Sequence, residues 1–394
     1  MAINALAAIQ LVSWGTSYYI FGLILVPVET DLGLNRGPTA LAFPVALLLE
    51  GLCSIIVGRW IARNLGMYVM VGGSLLAGAG LWMLSQANSL LQFQTAWALI
   101  GTSFSCTLYT PLFSLVTMVF PTSYRRKITV ISLITGFSST LFLPLSGWLI
   151  AEMGWRNCLL FYAMLNVLIC APGHWLALRA IYGGAESPIQ MESVSQAANI
   201  PLIAVAYRRR RIYLSLAVFT SAIGALSATV AAHLVPMLTE RGISSETALW
   251  APAAIGALQT LSRVPILMID MGKKVHQINL ILILIFPVAV LLLHISGVSA
   301  SLLIIFVFLY GIAHGGWTIV RATAVPQYLG PWGAAAINGY IAFWSTIGRI
   351  TLPLLVAVLW SVDQGYFYGY WLLQAVAILG FLAYASAQRT YFKS

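Results

Sequence analysis

Long apolar segments, separated by short polar ones, follow one another along most of the chain. Each segment runs for about 20 residues or more with few charges, which is the length a helix needs to cross a hydrocarbon core about 30 Å thick. Strands of membrane barrels alternate apolar and polar residues, and these unbroken segments do not. The pattern therefore predicts twelve membrane-spanning helices, near residues 5–28, 38–61, 67–87, 91–119, 127–151, 157–180, 212–237, 246–270, 276–296, 299–325, 333–360 and 366–388.

The composition excludes an ordinary soluble protein. Of 394 residues, 60% are hydrophobic and 8% are charged, whereas about 25% of residues in soluble domains are charged. Most of the outer surface must therefore face lipid. The four cysteines lack the spacing of a disulfide framework or a zinc site, so we expect no cofactor or metal. Because the first ten residues contain no Lys or Arg, we expect a retained first span rather than a cleaved leader.

Basic residues are distributed unequally between the two sides of the predicted membrane. The side that carries the N-terminus and every second loop holds 15 of the 20 Lys and Arg residues, and the other side holds three. This excess in short loops predicts that both termini are cytoplasmic. Attraction to an anionic leaflet accounts for the net charge of +10 without a nucleic-acid partner.

The two halves of the chain resemble each other. Leu25–Gly33 recurs 209 residues later as Leu234–Gly242, with Leu-Val-Pro, Thr, an acidic residue and Gly at matching positions. Because six spans is an even number, corresponding spans cross the membrane in the same direction, as in two-bundle secondary transporters. We therefore predict a six-helix bundle over residues 1–180, a polar cytoplasmic linker over 181–211 and a second six-helix bundle over 212–394.

A motif after the second span is similar to a known transporter signature. Gly58-x-x-x-Ala62-Arg63 resembles the Gly-x-x-x-Asp-Arg-x-Gly-Arg motif of the major facilitator superfamily, with Ala62 in place of the Asp. Tyr18-x-x-Phe21-Gly22 and the segment Gly154–Arg156 are similar to its monocarboxylate and oxalate–formate branch. The resemblance implies two bundles that rock around a central substrate site, with Arg63 among the gating residues.

Three ionisable side chains are predicted well inside the membrane, where a charge costs about 2.5 to 3.5 kcal/mol. Arg349 is either a bidentate clamp for a substrate carboxylate or a structural partner of Glu50 or of helix carbonyls. Glu50 itself either carries the coupling proton or is a structural partner of an arginine. His314 either relays a proton or binds substrate, or is a hydrogen-bonded packing residue.

Two more arginines lie in the cytoplasmic third of their spans. Arg263 resembles an arginine of the eighth span in the monocarboxylate branch, which implies a contact with substrate. Arg321 either gates the cytoplasmic mouth or has a structural role, in which its guanidinium extends to the membrane interface or pairs between the two bundles. In the second half, Gln259 occupies the position that corresponds to Glu50 in the first half. The two halves therefore differ chemically at the same depth in the membrane.

Aromatic residues are abundant, and most are expected in interfacial belts or facing lipid. Five are predicted where a central cavity would be lined: Tyr18, Tyr19, Tyr109, Tyr340 and Trp344. Each is alternatively a packing residue. Aromatic walls together with one or two guanidinium groups favour a small organic anion with an apolar body.

Taken as a set, these features predict a secondary transporter of a small, monocarboxylate-like organic anion rather than an enzyme. We expect it to be a monomer in a bacterial inner membrane, surrounded by lipid, with protons as the coupling ion. The alternative within transport is an efflux pump for drugs or other amphipathic compounds, a class that more often shows several acids at mid-depth. A receptor or a membrane-embedded transferase would need a sensor domain or a polar catalytic loop, and the longest polar stretch is the 31 residues of the linker.

Overall fold

The computed structural model describes residues 2–183, 209–268, 274–295, 300–331 and 333–393. These residues form helices and no strands. The helices of the first half are Ala2–Ser13, Trp14–Tyr18, Ile20–Leu32, Arg36–Ala40, Ala42–Ala62, Gly66–Ser85, Leu90–Thr107, Tyr109–Val119, Tyr124–Thr135, Ser138–Leu165, Asn166–Cys170 and Ala171–Tyr182. Those of the second half are Arg210–Thr239, Ser245–Leu261, Arg263–Met268, Val275–Ile295, Ala300–Leu329, Ala334–Asp363 and Phe367–Lys393.

Ten stretches of helix in the described ranges are long and apolar enough to cross a membrane. One of them, Tyr124–Tyr182, is 59 residues long and holds the fifth and sixth predicted spans. These two meet near Gly154, whose φ of 80° interrupts the helix. The prediction of an all-α protein with many membrane spans is confirmed.

The eighth span differs from the unbroken helix that its apolar pattern predicts. The helix Ser245–Leu261 is capped by Ser262, and a second helix, Arg263–Met268, begins directly after this residue. Pro265 has no N–H to donate to the carbonyl of Leu261, which accounts for a break at this point. Arg263 therefore stands at the start of a new helical segment.

The chain divides into two compact units. The first unit comprises Met1–Leu202 and Pro331–Phe343, and the second comprises Ile203–Gly330 and Trp344–Ser394. The start of the eleventh span thus belongs to the first unit. The predicted linker over 181–211 lies outside the described residues except for its two ends.

Small residues let helices of the first unit approach closely. A Cβ atom on Gly101 would lie 2.3 Å from the carbonyl oxygen of Ala46, so only glycine fits where the fourth span crosses the second. In the same way, a Cβ on Gly58 would lie 2.6 Å from the carbonyl oxygen of Ala335. The glycine of the signature motif is therefore a packing position in this structure.

The second unit uses the same device between its seventh and eleventh spans. A Cβ on Gly224 would lie 2.8 Å from the Ser345 Oγ, and a Cβ on Gly348 would lie 3.0 Å from the carbonyl oxygen of Ser221. The Ser345 hydroxyl donates to the carbonyl oxygen of Thr220 at 3.3 Å. This contact fixes the part of the eleventh span that carries Arg349.

Candidate functional site

Four half-buried aromatic rings of the first unit meet around Trp14. The Trp14 ring centroid lies 4.7 Å from that of Tyr18, 6.0 Å from that of Tyr19 and 5.0 Å from that of Tyr109. The structure thus brings together three of the four tyrosines that the sequence singles out. It adds Trp14, for which the available sequence signal is its position one turn before Tyr18.

An irregular turn of the first span presents these rings. Trp14–Tyr18 is a π turn, in which the N–H of Tyr19 donates to the carbonyl oxygen of Trp14 at 3.1 Å. Hydrogen bonds of this i to i+5 type are rare and occur often at functional sites. Within the turn, the Thr16 hydroxyl donates to the carbonyl oxygen of Val12 at 2.9 Å, and the Ser17 hydroxyl donates to that of Ser13.

The aromatic cluster continues into the apolar core of the first unit. The Tyr18 ring lies 5.2 Å from Phe43 and 5.6 Å from Phe104, and the Tyr109 ring stacks on Phe113 at 4.8 Å. One side of the cluster is therefore anchored by packing. The partly exposed side is the one that can meet another molecule.

In the second unit, the eighth and tenth spans face each other with two polar pairs. The His314 Nδ1 lies 2.5 Å from the Gln259 Oε1, and the Arg263 Nη2 lies 3.4 Å from the Thr318 Oγ1. His314 and Thr318 are one turn apart in one helix and therefore lie on the same face of it. Gln259 lies just before the break at Ser262, and Arg263 lies just after it. Because an amide oxygen only accepts, the His314 Nδ1 carries the proton, and in the neutral ring the Nε2 keeps the lone pair.

Glycine makes this close approach possible. A Cβ on Gly315 would lie 1.9 Å from the Ser262 Oγ and 2.2 Å from the carbonyl oxygen of Gln259. Any side chain at this position would push the two spans apart. The Gly-Gly pair directly after His314 is thus the sequence signal for the contact.

The site in the second unit is positively charged and largely buried. Arg263 is 4% exposed. Arg263 and Arg321 both lie close enough to His314 to act on it electrostatically, and the Arg321 guanidinium lies 5.6 Å from the Trp317 ring centroid. A buried arginine in an apolar protein produces a local positive potential that attracts anions.

The remaining candidate residues lie elsewhere in their units. Glu50 is half-buried in Ala42–Ala62, and Arg63 is exposed directly after that helix. Arg349 is half-buried, and its Cγ would lie 3.7 Å from a Cβ on Gly224, while Trp344 is 51% exposed. In the described part of the chain, no group of three or more His, Cys, Asp or Glu is placed to hold a metal ion.

The sequence profile of the Major Facilitator Superfamily matches residues 6–353. The chain belongs to this superfamily. The match covers both halves of the chain, so the fold is that of a major facilitator transporter. No curated protein sequence matches it significantly.

Solved structures of this superfamily are similar over almost the whole chain. They include the E. coli fucose:proton symporter FucP (TM-score 0.68, 13% identity, 100% of this chain and 98% of that one) and the human organic anion transporter MFSD10 (0.71, 15%, 97% and 98%). The proton:xylose symporter XylE bound to 6-bromo-6-deoxy-D-glucose is similar to the same degree (0.71, 13%, 97% and 94%). At these identities the similarity shows the fold.

Proposed function

We propose that this protein is a secondary transporter that moves a small organic anion with an apolar body across the cytoplasmic membrane, coupled to protons. The observation that carries the proposal is the buried guanidinium of Arg263 beside Thr318 and the Gln259–His314 pair. Ionisable groups inside membrane spans are costly, and by default they indicate a functional site.

A guanidinium is suited to recognise a carboxylate. It remains charged at every physiological pH and offers a planar fork that binds both carboxylate oxygens at once. Thr318 holds one arm of the Arg263 fork, which reduces the freedom lost when an anion binds. Arg349 is the second candidate for the clamp, because Gly224 and Ser345 hold its stretch of helix in place.

The first unit supports an apolar substrate body. The rings of Trp14, Tyr18, Tyr19 and Tyr109 combine an apolar face with hydroxyl and indole groups at their edges. Both the organic anion transporter and the sugar symporters are similar in fold, so the fold alone does not choose between these substrates. The arginines favour the anion.

Two groups are candidates for the proton. Glu50 is a carboxylate in the middle of the second span, and its repeat counterpart Gln259 cannot titrate. His314 can take a proton on its Nε2 while its Nδ1 remains bonded to Gln259. We assign the coupling proton to Glu50 and treat His314 as the alternative.

Ligand binding to the purified protein tests the substrate class. Thermal unfolding is measured with benzoate, lactate, oxalate, fucose, xylose and tetraphenylphosphonium, since a ligand at 100 times its dissociation constant stabilises by about 2.7 kcal/mol. We expect carboxylates to stabilise the protein and the sugars and the lipophilic cation to leave it unchanged. Stabilisation by a sugar or by the cation, without any by a carboxylate, would overturn the proposal.

Substitution of the arginines then tests the clamp. Arg263→Lys keeps the charge and loses the fork, so affinity for the carboxylate should fall by roughly 1 to 3 kcal/mol. Arg179 is exposed near the end of the sixth span, and Arg179→Gln is the matched control. If folded Arg263→Lys and Arg263→Gln bind as tightly as the control, Arg263 is not the clamp and Arg349 is tested in the same way.

A further inference from the structure

The first unit contains two π turns, one in the first span and one in the sixth. They are Trp14–Tyr18 and Asn166–Cys170. In the second turn, the N–H of Ala171 donates to the carbonyl oxygen of Asn166, which is again an i to i+5 bond. Because π turns are rare, two that face each other raise the question of whether one contact supports both.

One side chain connects the two turns. The Asn166 Nδ2 donates to the Thr16 Oγ1 at 2.9 Å and to the carbonyl oxygen of Tyr162 at 2.9 Å. The Thr16 hydroxyl in turn donates to the carbonyl oxygen of Val12. Both protons of the amide are thus used, and the hydroxyl both accepts and donates.

The hydrogen bond between the two turns is buried. Thr16 is 0% exposed and Asn166 is 1% exposed. On another side of the first turn, a Cβ on Gly15 would lie 2.1 Å from the Phe142 ring, so this ring fills the space against the widened backbone. A buried hydrogen bond that loses one partner leaves the other group unsatisfied, so both partners must be kept together.

The π turn determines where the tyrosines point. In a regular α-helix, residue i+5 lies about 140° around the axis from residue i. In the π turn, the i to i+5 bond places Tyr19 close to Trp14, and the two rings are 6.0 Å apart. Tyr18 lies on the same side, at 4.7 Å. Two consecutive tyrosines therefore share one face with Trp14, which an α-helix would not permit.

We propose that Asn166 is a positioning residue for substrate recognition: through Thr16 it holds the π turn that presents Tyr18 and Tyr19 together. Asn166 itself does not touch substrate. The proposal rests on the proposed function, because it assigns substrate contact to these tyrosines. Its structural part, that Asn166 maintains the turn, is independent of any ligand.

A cysteine pair tests the structural part. Trp14→Cys and Tyr19→Cys are introduced together after replacement of the four native cysteines by alanine. In an α-helix their Cα atoms would be roughly 8 to 9 Å apart, too far for a disulfide, whereas a π turn brings them closer. We expect oxidation to protect this pair from alkylation, as measured by mass spectrometry. Phe21→Cys with Val26→Cys, in the regular helix that follows, should remain reactive.

The same pair is then examined in variants that break the connection. Thr16→Val and Asn166→Leu should each lose the protection, whereas Thr16→Ser keeps the hydroxyl and should retain it. Asn157→Leu is the matched control, because Asn157 makes the same bond to the carbonyl four residues earlier but is exposed. Thr117→Val is a second control, because it removes a buried hydroxyl that donates to the carbonyl four residues earlier, as the hydroxyl of Thr16 does. If Thr16→Val and Asn166→Leu remain protected, the connection does not maintain the turn and the proposal is wrong.

Ligand affinity tests the functional part, in proteins with native Trp14 and Tyr19. With benzoate as probe, Thr16→Val and Asn166→Leu should each lower affinity by about fivefold or more, with wild-type affinity in Thr16→Ser and Asn157→Leu. Lost protection with unchanged affinity would overturn the positioning role. If the wild type binds no carboxylate but binds a sugar, the substrate class is wrong, and the same comparison with that sugar decides the positioning role.

Discussion

Arg156 shows how one side chain joins three segments of the first unit. Its Nη1 donates to the carbonyl oxygen of Ser85 at 2.8 Å, and its Nη2 donates to the Asp31 carboxylate at 3.1 Å and to the Asn88 Oδ1 at 3.2 Å. The guanidinium also lies 4.3 Å from the Trp155 ring centroid. The first span, the loop after the third span and the start of the sixth span are thereby fixed together.

Replacement of this arginine should lower stability more than replacement of an arginine in a simple surface pair. Arg156→Lys keeps the charge but cannot make all three contacts, so we expect a loss of about 1 to 2 kcal/mol in the free energy of unfolding. Arg36 pairs with Glu29 and is 65% exposed, so Arg36→Lys should change stability little. Thermal unfolding of both variants checks this, and equal losses would contradict it.

Sequence reasoning identified the charged residues at membrane depth but not their neighbours. Arg263 and His314 were recognisable because ionisable groups are rare within apolar segments. That His314 bonds to Gln259, and Arg263 to Thr318, depends on how two spans pack whose paired residues are 55 positions apart in the chain. Hydrophobicity along one helix carries no information on that register, so these partners required the structure.

At the scale of helices, glycines control how near two spans come. Gly315 lies where the tenth span meets the eighth, and the space for a side chain there is already filled by Ser262 and by the backbone of Gln259. Gly256, on the eighth span, has no atom within 4 Å of the place a Cβ would take. The two glycines therefore differ in environment although both lie in helices.

Substitution by alanine should separate them. Gly315→Ala should destabilise by about 1 to 3 kcal/mol, because the backbone of the facing helix must move. Gly256→Ala should be neutral or stabilise by up to about 1 kcal/mol, since alanine favours the helix. Thermal unfolding measures both, and a neutral Gly315→Ala variant would show that the two spans are not so closely packed.

Element boundaries were predictable where composition alone decides them. The second span, predicted near 38–61, is helical over Arg36–Ala40 and Ala42–Ala62. The two π turns were not predictable, because their hydrogen bonds are supported by Asn166 and Thr16, which lie in different spans. The break at Ser262 had a local signal in Pro265, although proline is also tolerated within other spans here, such as Pro353 in the eleventh.

At the scale of the whole molecule, the unequal distribution of basic residues sets the expected orientation. Both termini are expected in the cytoplasm, which places the loop after the third span outside and the loop after the fourth span inside. Ser89 and Thr122 are exposed residues of these loops. They offer matched positions for labelling from one side of the membrane.

Single cysteines at these positions test the orientation in intact cells. In a background without native cysteines, a membrane-impermeant maleimide should label Ser89→Cys from outside and should label Thr122→Cys only after the cells are opened. The reverse pattern would contradict the predicted orientation.

Transport driven by a pH gradient tests the central claim most directly. Uptake of the tightest-binding radiolabelled carboxylate is measured in proteoliposomes with the outside more acidic, and protein-free liposomes give the passive leak. We expect the wild type to accumulate the anion above equilibrium, and Glu50→Gln to exchange it across the membrane without accumulation, because the carboxyl that carries the proton is gone. If Glu50→Gln still accumulates the anion, Glu50 does not carry the coupling proton and His314 becomes the candidate. If the wild type accumulates fucose or xylose and no carboxylate, the protein is not a transporter of organic anions.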